Sequence, residues 1–60
     1  MKLTITINLD NAAFDPPAPE VARILEHASE QMQDMTFQEG EYKRVYDFNG
    51  NKVGEWRISK

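Results

Sequence analysis

A chain of 60 residues with no cysteine and one histidine, His27, has neither a disulfide framework nor an ordinary zinc site to hold it together. Folding at this length removes only about 60% of the unfolded surface from water, so one small domain over residues 1–60 is expected, with self-association as the remaining route to added stability. The formal net charge is −3, and without a long apolar run or a basic-plus-apolar leader the chain is expected to be soluble and cytoplasmic, with no membrane span.

Leu3, Ile5, Ile7 and Leu9 alternate with Thr4, Thr6, Asn8 and Asp10. That period of two predicts a half-buried first strand. Asp10 and Asn11 signal a turn, and Asp15-Pro16-Pro17-Ala18-Pro19 reads as a stiff connector, because proline lacks an amide hydrogen and pushes its predecessor toward extended angles. Pro19 suits the first position of a helix, with Glu20 set against the positive end of its dipole. Val21, Ile24, Leu25, Ala28, Met32 and Met35 then fall on one stripe, which predicts an amphipathic helix ending near Met35. Its solvent face carries Arg23, Glu26, His27, Glu30, Gln31 and Asp34. Methionine at this spacing fills a core, and His27 lacks the nucleophile or pocket that a general base needs.

The closing segment contains YDFNGNKVGEW. A two-residue Asn49-Gly50 turn would scatter its aromatics over both sheet faces. A three-residue loop, Phe48-Asn49-Gly50, opens with Asp47 and ends with Gly50 in the left-handed conformation. It sets Tyr42 opposite Trp56, Lys43 opposite Glu55 and Glu41 opposite Arg57. This is the predicted register, with Tyr42, Tyr46 and Trp56 on the core face. Gly54 then faces Arg44, marking a bulge or a close approach by another chain.

Assembled, the chain is of the α+β class, β-α-β-β, with one helix on a three-stranded antiparallel sheet whose third strand is central. The uncovered sheet face, expected to carry Thr4, Thr6, Asn8, Lys43, Val45, Val53, Glu55 and Arg57, stays polar or meets a partner. Either edge strand can pair with its copy in a homodimer.

No serine elbow, phosphate-cradling glycine loop or carboxylate pair in an evident pocket is present, so no enzymatic activity, cofactor or metal is expected. Charge is distributed unevenly. Seven acids accompany the single base Arg23 between Asp10 and Gly40, whereas five bases accompany three acids from Glu41 to Lys60. An acidic helix face of Glu20, Glu26, Glu30 and Asp34 suits a basic protein partner. The alternative is nucleic-acid binding by Lys43, Arg44, Lys52 and Arg57 on the hairpin, ranked second because Glu41, Asp47 and Glu55 dilute those bases in a domain that is acidic overall.

With its opening MKLTITINLDNAAF, its EVARILEHASEQM helix and its closing DFNGNKVGEWRISK, the whole chain resembles the tiny β-α-β-β proteins encoded by phages, prophages and plasmids. Some similarly small acidic proteins of mobile elements are anti-CRISPR or other anti-defence inhibitors. The resemblance implies a stoichiometric inhibitor whose acidic face, Glu26, Glu30 and Asp34 with Glu20, occupies a basic groove on a host nucleoprotein defence complex. It transfers no catalytic residues.

Overall fold

The structure, a computed structural model, describes residues 1–60. Strand β1 (Lys2–Ile7) leads through a short 3-10 turn (Ala12–Phe14) into helix α1 (Pro17–Met32), followed by β2 (Tyr42–Tyr46) and β3 (Lys52–Ser59). The sheet order is β1-β3-β2 and both pairings are antiparallel, so the third strand is central as expected.

The helix begins two residues before Pro19. Its first N–H groups have no intrahelical acceptors, so Pro17 and Pro19 both fit within the first turn, and of the predicted connector only Asp15 and Pro16, the latter at φ −76° and ψ 155°, remain extended. The helix ends at Met32 rather than near Met35 because the chain tightens. Asp34 N–H donates to Gln31 O at 3.4 Å and Met35 N–H to Met32 O at 3.2 Å, both bonds spanning three residues.

The core gathers Trp56, Ile58, Val53 and Val45 from the hairpin, Ile24 and Ala28 from α1, and Phe14 from the 3-10 turn. Asn11 caps that turn, its Oδ1 accepting from Ala13 N–H at 2.8 Å, and so fixes the segment that delivers Phe14. Phe37 packs beside Trp56 with ring centroids 6.3 Å apart. Leu25, expected on the buried stripe, is 42% exposed on the flank of the helix.

The three-residue loop forms as predicted. Asp47 N–H donates to Asn51 O at 2.9 Å, Gly50 N–H donates to Asp47 O at 3.0 Å, and Gly50 adopts φ 87°. Tyr46 faces Lys52. Beyond that pair the predicted register fails, because Val53 is an extra residue in a β-bulge and the partners become Val45 with Gly54, Arg44 with Glu55, Lys43 with Trp56 and Tyr42 with Arg57. The expected pairs Tyr42–Trp56, Lys43–Glu55 and Glu41–Arg57 therefore do not occur. Tyr42 and Tyr46 are 54% and 47% exposed, while Val45 and Val53, expected on the uncovered face, are core residues. Lys43 likewise leaves the uncovered face.

Gly54 explains the local geometry. A β-carbon there would overlap the Thr6 carbonyl oxygen and lie 2.9 Å from the Thr6 carbonyl carbon and 3.0 Å from Ile7 Cα. The approaching backbone is the protein's own β1.

Candidate functional site

One face of the sheet is open. Across it lie the rows Thr4–Arg57–Tyr42 and Thr6–Glu55–Arg44, then Lys52 beside Tyr46. Alternation along β2 sends Tyr42, Arg44 and Tyr46 to this face at intervals of about 6.6 Å, and all three are exposed. The single acid among these rows, Glu55, is neutralised by Arg57, whose Nε donates to its Oε2 at 2.8 Å. That hydrogen bond holds the Glu55 carboxyl below its ordinary value of 4.5 against the opposing effect of desolvation, helped by the charges of Arg57, Lys52 and Arg44. Arg44 and Lys52 have no ion-pair partner. Tyr42, Arg44, Lys52 and Arg57 line one shallow depression of about 610 Å³.

Three of the four hairpin bases singled out from the sequence, Arg44, Lys52 and Arg57, thus share this face. Lys43 is on the helix side, opposite Trp56. The strands together hold five bases against one acid, a net of +4, which leaves −7 for the rest of a chain whose total is −3. Charge is divided between the sheet and everything around it.

The acidic set divides as well. Glu26, Glu30 and Asp34 are exposed at intervals of four, forming a ridge along α1 and the turn after it, and none is ion-paired. Glu20 does not belong with them. It is only 6% exposed and accepts from Arg23 Nε at 2.8 Å, Arg23 Nη2 at 2.9 Å and Phe48 N–H at 2.8 Å. The Arg23 bond, opposed by burial and aided by the Phe48 amide, keeps the Glu20 carboxyl below 4.5, and the same pairing raises Arg23. Arg23 Nη2 also donates to Tyr46 O at 3.0 Å, so this pair ties the start of the helix to the hairpin.

Asp47 makes the second tie. Burial pushes its carboxyl upward, but hydrogen bonds from the backbone and side chain of Asn51, from the Asn11 side chain and from Asn49 N–H outweigh this and leave it below 3.8. Oδ1 accepts from Asn49 and Asn51 N–H, each at 2.9 Å, and Oδ2 from Asn11 Nδ2 at 2.9 Å and Asn51 Nδ2 at 3.2 Å. With four donors its lone pairs are occupied, and the DFNGN stretch is a structural latch.

His27 is exposed on the flank of α1 next to β2, where it lines a cleft of about 320 Å³ with Arg23, Gln31 and Arg44. No three His, Cys, Asp or Glu side chains are grouped to hold a metal ion, and no helix is long and apolar enough to cross a membrane. Compared with known proteins, the chain matches no family model, no curated protein and no solved structure. The open face rests on its own geometry. The sequence signal that could have found Tyr42 and Tyr46 is Gly54, which marks the bulge that turns them outward.

Proposed function

We infer that the protein is a small non-enzymatic binding module whose open sheet face takes single-stranded nucleic acid. The observation that carries this reading is the exposed alternation Tyr42–Arg44–Tyr46 beside Arg57 and Lys52. Aromatic rings on a sheet accept stacked bases, and cations interleaved with them meet the phosphates. Glu39, Glu41 and the paired Glu55 line the same depression as these bases and limit binding to short, local contacts.

Fluorescence anisotropy of a labelled oligothymidine or oligouridine tests this. Tyr42→Ala and Tyr46→Ala are each expected to weaken binding by about 1–3 kcal/mol, roughly 5- to 150-fold. Two phosphate contacts, from the unpaired Arg44 and Lys52, give a slope of log K against log salt near about −1.4, and Arg44→Ala reduces it by about 0.7. Unchanged binding by the folded double tyrosine variant overturns the reading, as does a complete lack of binding at low salt.

A second reading is supported by the unpaired ridge of Glu26, Glu30 and Asp34. There the protein is the anti-defence inhibitor that the phage-protein resemblance implies, and the ridge, without Glu20, occupies a basic groove on a cytoplasmic nucleoprotein complex. Reversing the three acids to lysine slows association with such a partner. Nuclease-resistant binding to a basic protein that disappears on reversal selects this reading, whereas retention only through nucleic acid selects the first.

A further inference from the structure

The two edges of the sheet differ. Asn8 N–H donates to Val53 O at 2.7 Å, so Lys2, Thr4, Thr6 and Asn8 direct their backbone groups to β3, and by alternation Leu3, Ile5 and Ile7 direct theirs to the free edge. On the helix side of this edge Leu3 and Ile5 are 41% and 38% exposed. Arg23 and His27 line the cleft beside β2, and at 100° per residue the exposed Leu25 falls on the opposite flank of α1, away from β2.

We propose that two copies of the chain pair antiparallel through β1, forming a continuous six-stranded sheet with Ile5 on the two-fold axis. The partner is a second copy because this edge is complementary to itself. With Ile5 facing Ile5 of the other copy, Leu3 faces Ile7, Thr4 faces Thr6 and Lys2 faces Asn8. Every apolar side chain then meets another on the helix side, and every threonine meets another on the open side. The two Lys2 side chains sit six residues apart along the ladder, about 20 Å, beyond the roughly 8 Å screening length of physiological salt.

The other edge excludes such pairing. Ile58 N–H donates to Glu41 O at 2.9 Å, so Tyr42, Arg44 and Tyr46 present the free backbone groups of β2. Self-pairing centred there would set Arg44 directly against Arg44, and like charges directly opposite destabilise a ladder. In the β1 dimer the two open faces become one surface. Five strand spacings of about 4.8 Å put its two Tyr42–Arg44–Tyr46 stripes about 24 Å apart.

Sedimentation equilibrium of the whole protein from about 10 µM to about 1 mM is expected to show the mass rising from 6.9 kDa toward twice that value, as befits the small area of a strand-edge contact. A mass fixed at the monomer value throughout overturns the proposal. Because the chain has no cysteine, Ile5→Cys reports on the two-fold axis: opposed hydrogen-bonded residues have Cα atoms about 5.5 Å apart, within disulfide reach. Oxidation is expected to cross-link Ile5→Cys and to leave Arg44→Cys monomeric, whereas cross-linking of Arg44→Cys alone overturns the assignment of the edge. Ile5→Lys sets two ammonium groups across the axis and is expected to shift the association midpoint at least tenfold. A folded Ile5→Lys variant that associates normally refutes the β1 interface.

Discussion

Gly54→Ala separates two physical effects by sign. Backbone propensity alone favours alanine, because a glycine inside a strand costs about 0.5–1 kcal/mol relative to it, and Gly54 does not use the left-handed φ that glycine alone tolerates easily. Space argues the other way. The new β-carbon would overlap Thr6 O and come within 2.9 Å of Thr6 C and 3.0 Å of Ile7 Cα, all of them backbone atoms that no rotamer change can clear. Restoring an ordinary contact requires β1 to withdraw by about 1.5 Å. The Asn8–Val53 bond, 2.7 Å in the native protein, would then exceed the roughly 3.2 Å limit of a good hydrogen bond. Loss of about two ladder bonds at about 1 kcal/mol each, with overpacking strain of about 1–3 kcal/mol, gives about 3–5 kcal/mol. A 60-residue domain has about 3–9 kcal/mol in all. Urea unfolding followed by Trp56 fluorescence and far-ultraviolet circular dichroism reads the difference. A variant as stable as the native protein, or more stable, refutes the close approach of β1 as the reason for this glycine.

Three further outcomes follow from single residues. Glu20 and Asp47 both titrate below their ordinary values of 4.5 and 3.8, so the stability they supply is complete above those values and is lost as pH falls through the lower folded ones. The thermal midpoint is therefore expected to stay level down to about pH 5 and to fall below about pH 4. Asp47→Asn begins lower and falls less steeply, and a native midpoint that stays level to pH 2 contradicts both assignments. At Gly50, φ is 87° and a β-carbon would meet nothing within 4 Å, so Gly50→Ala costs only the left-handed penalty of about 1–2 kcal/mol, and Gly50→Asn costs less in the same unfolding assay. On α1, Ile24→Ala is expected to cost about 2–5 kcal/mol, whereas Leu25→Gln changes stability by less than about 0.5 kcal/mol at monomer concentrations; equal costs would place both on the buried stripe.

Order and topology were legible because they follow from short-range patterns. Alternation from Leu3 to Ile7 gives β1, although the expected continuation to Leu9 lies beyond the strand, the helical spacing from Val21 to Met32 gives α1, and Asp47 to Asn51 give the loop that the structure forms. The open face was not legible, because it depends on one extra residue. Val53 shifts the pairing by one position, and a strand's side chains exchange faces with every such step. Gly54 flagged an irregularity, but its cause is a contact with Thr6, nearly fifty positions away, and no local pattern contains it. The acidic face was misjudged at Glu20 for a related reason. Helical spacing cannot foresee that a hairpin amide, Phe48 N–H, returns to bury that carboxylate.

Magnitudes show why the bulged hairpin prevails over the straight ladder, and the tyrosines provide the test. A straight ladder offers three cross-strand pairs worth about 0.2–1 kcal/mol each. It would also bury Tyr42 and Tyr46 against Trp56, in a core whose other members are Phe14, Ile24, Ala28 and Ile58. The side chains there supply so few acceptors that even the indole N–H of Trp56 finds none. Each tyrosine hydroxyl buried in that setting without a partner costs about 1–3 kcal/mol, which cancels the gain from the pairs. The bulge instead buries Val45 and Val53, at about 1.5–3 kcal/mol each, and leaves both hydroxyls in water. Tyr42→Lys and Tyr46→Lys therefore change the unfolding free energy by less than about 0.5 kcal/mol each, as surface substitutions do. Losses of about 3 kcal/mol or more, the cost of truncating a buried aromatic, would mean that the straight ladder forms and that the open face carries no aromatic stripe.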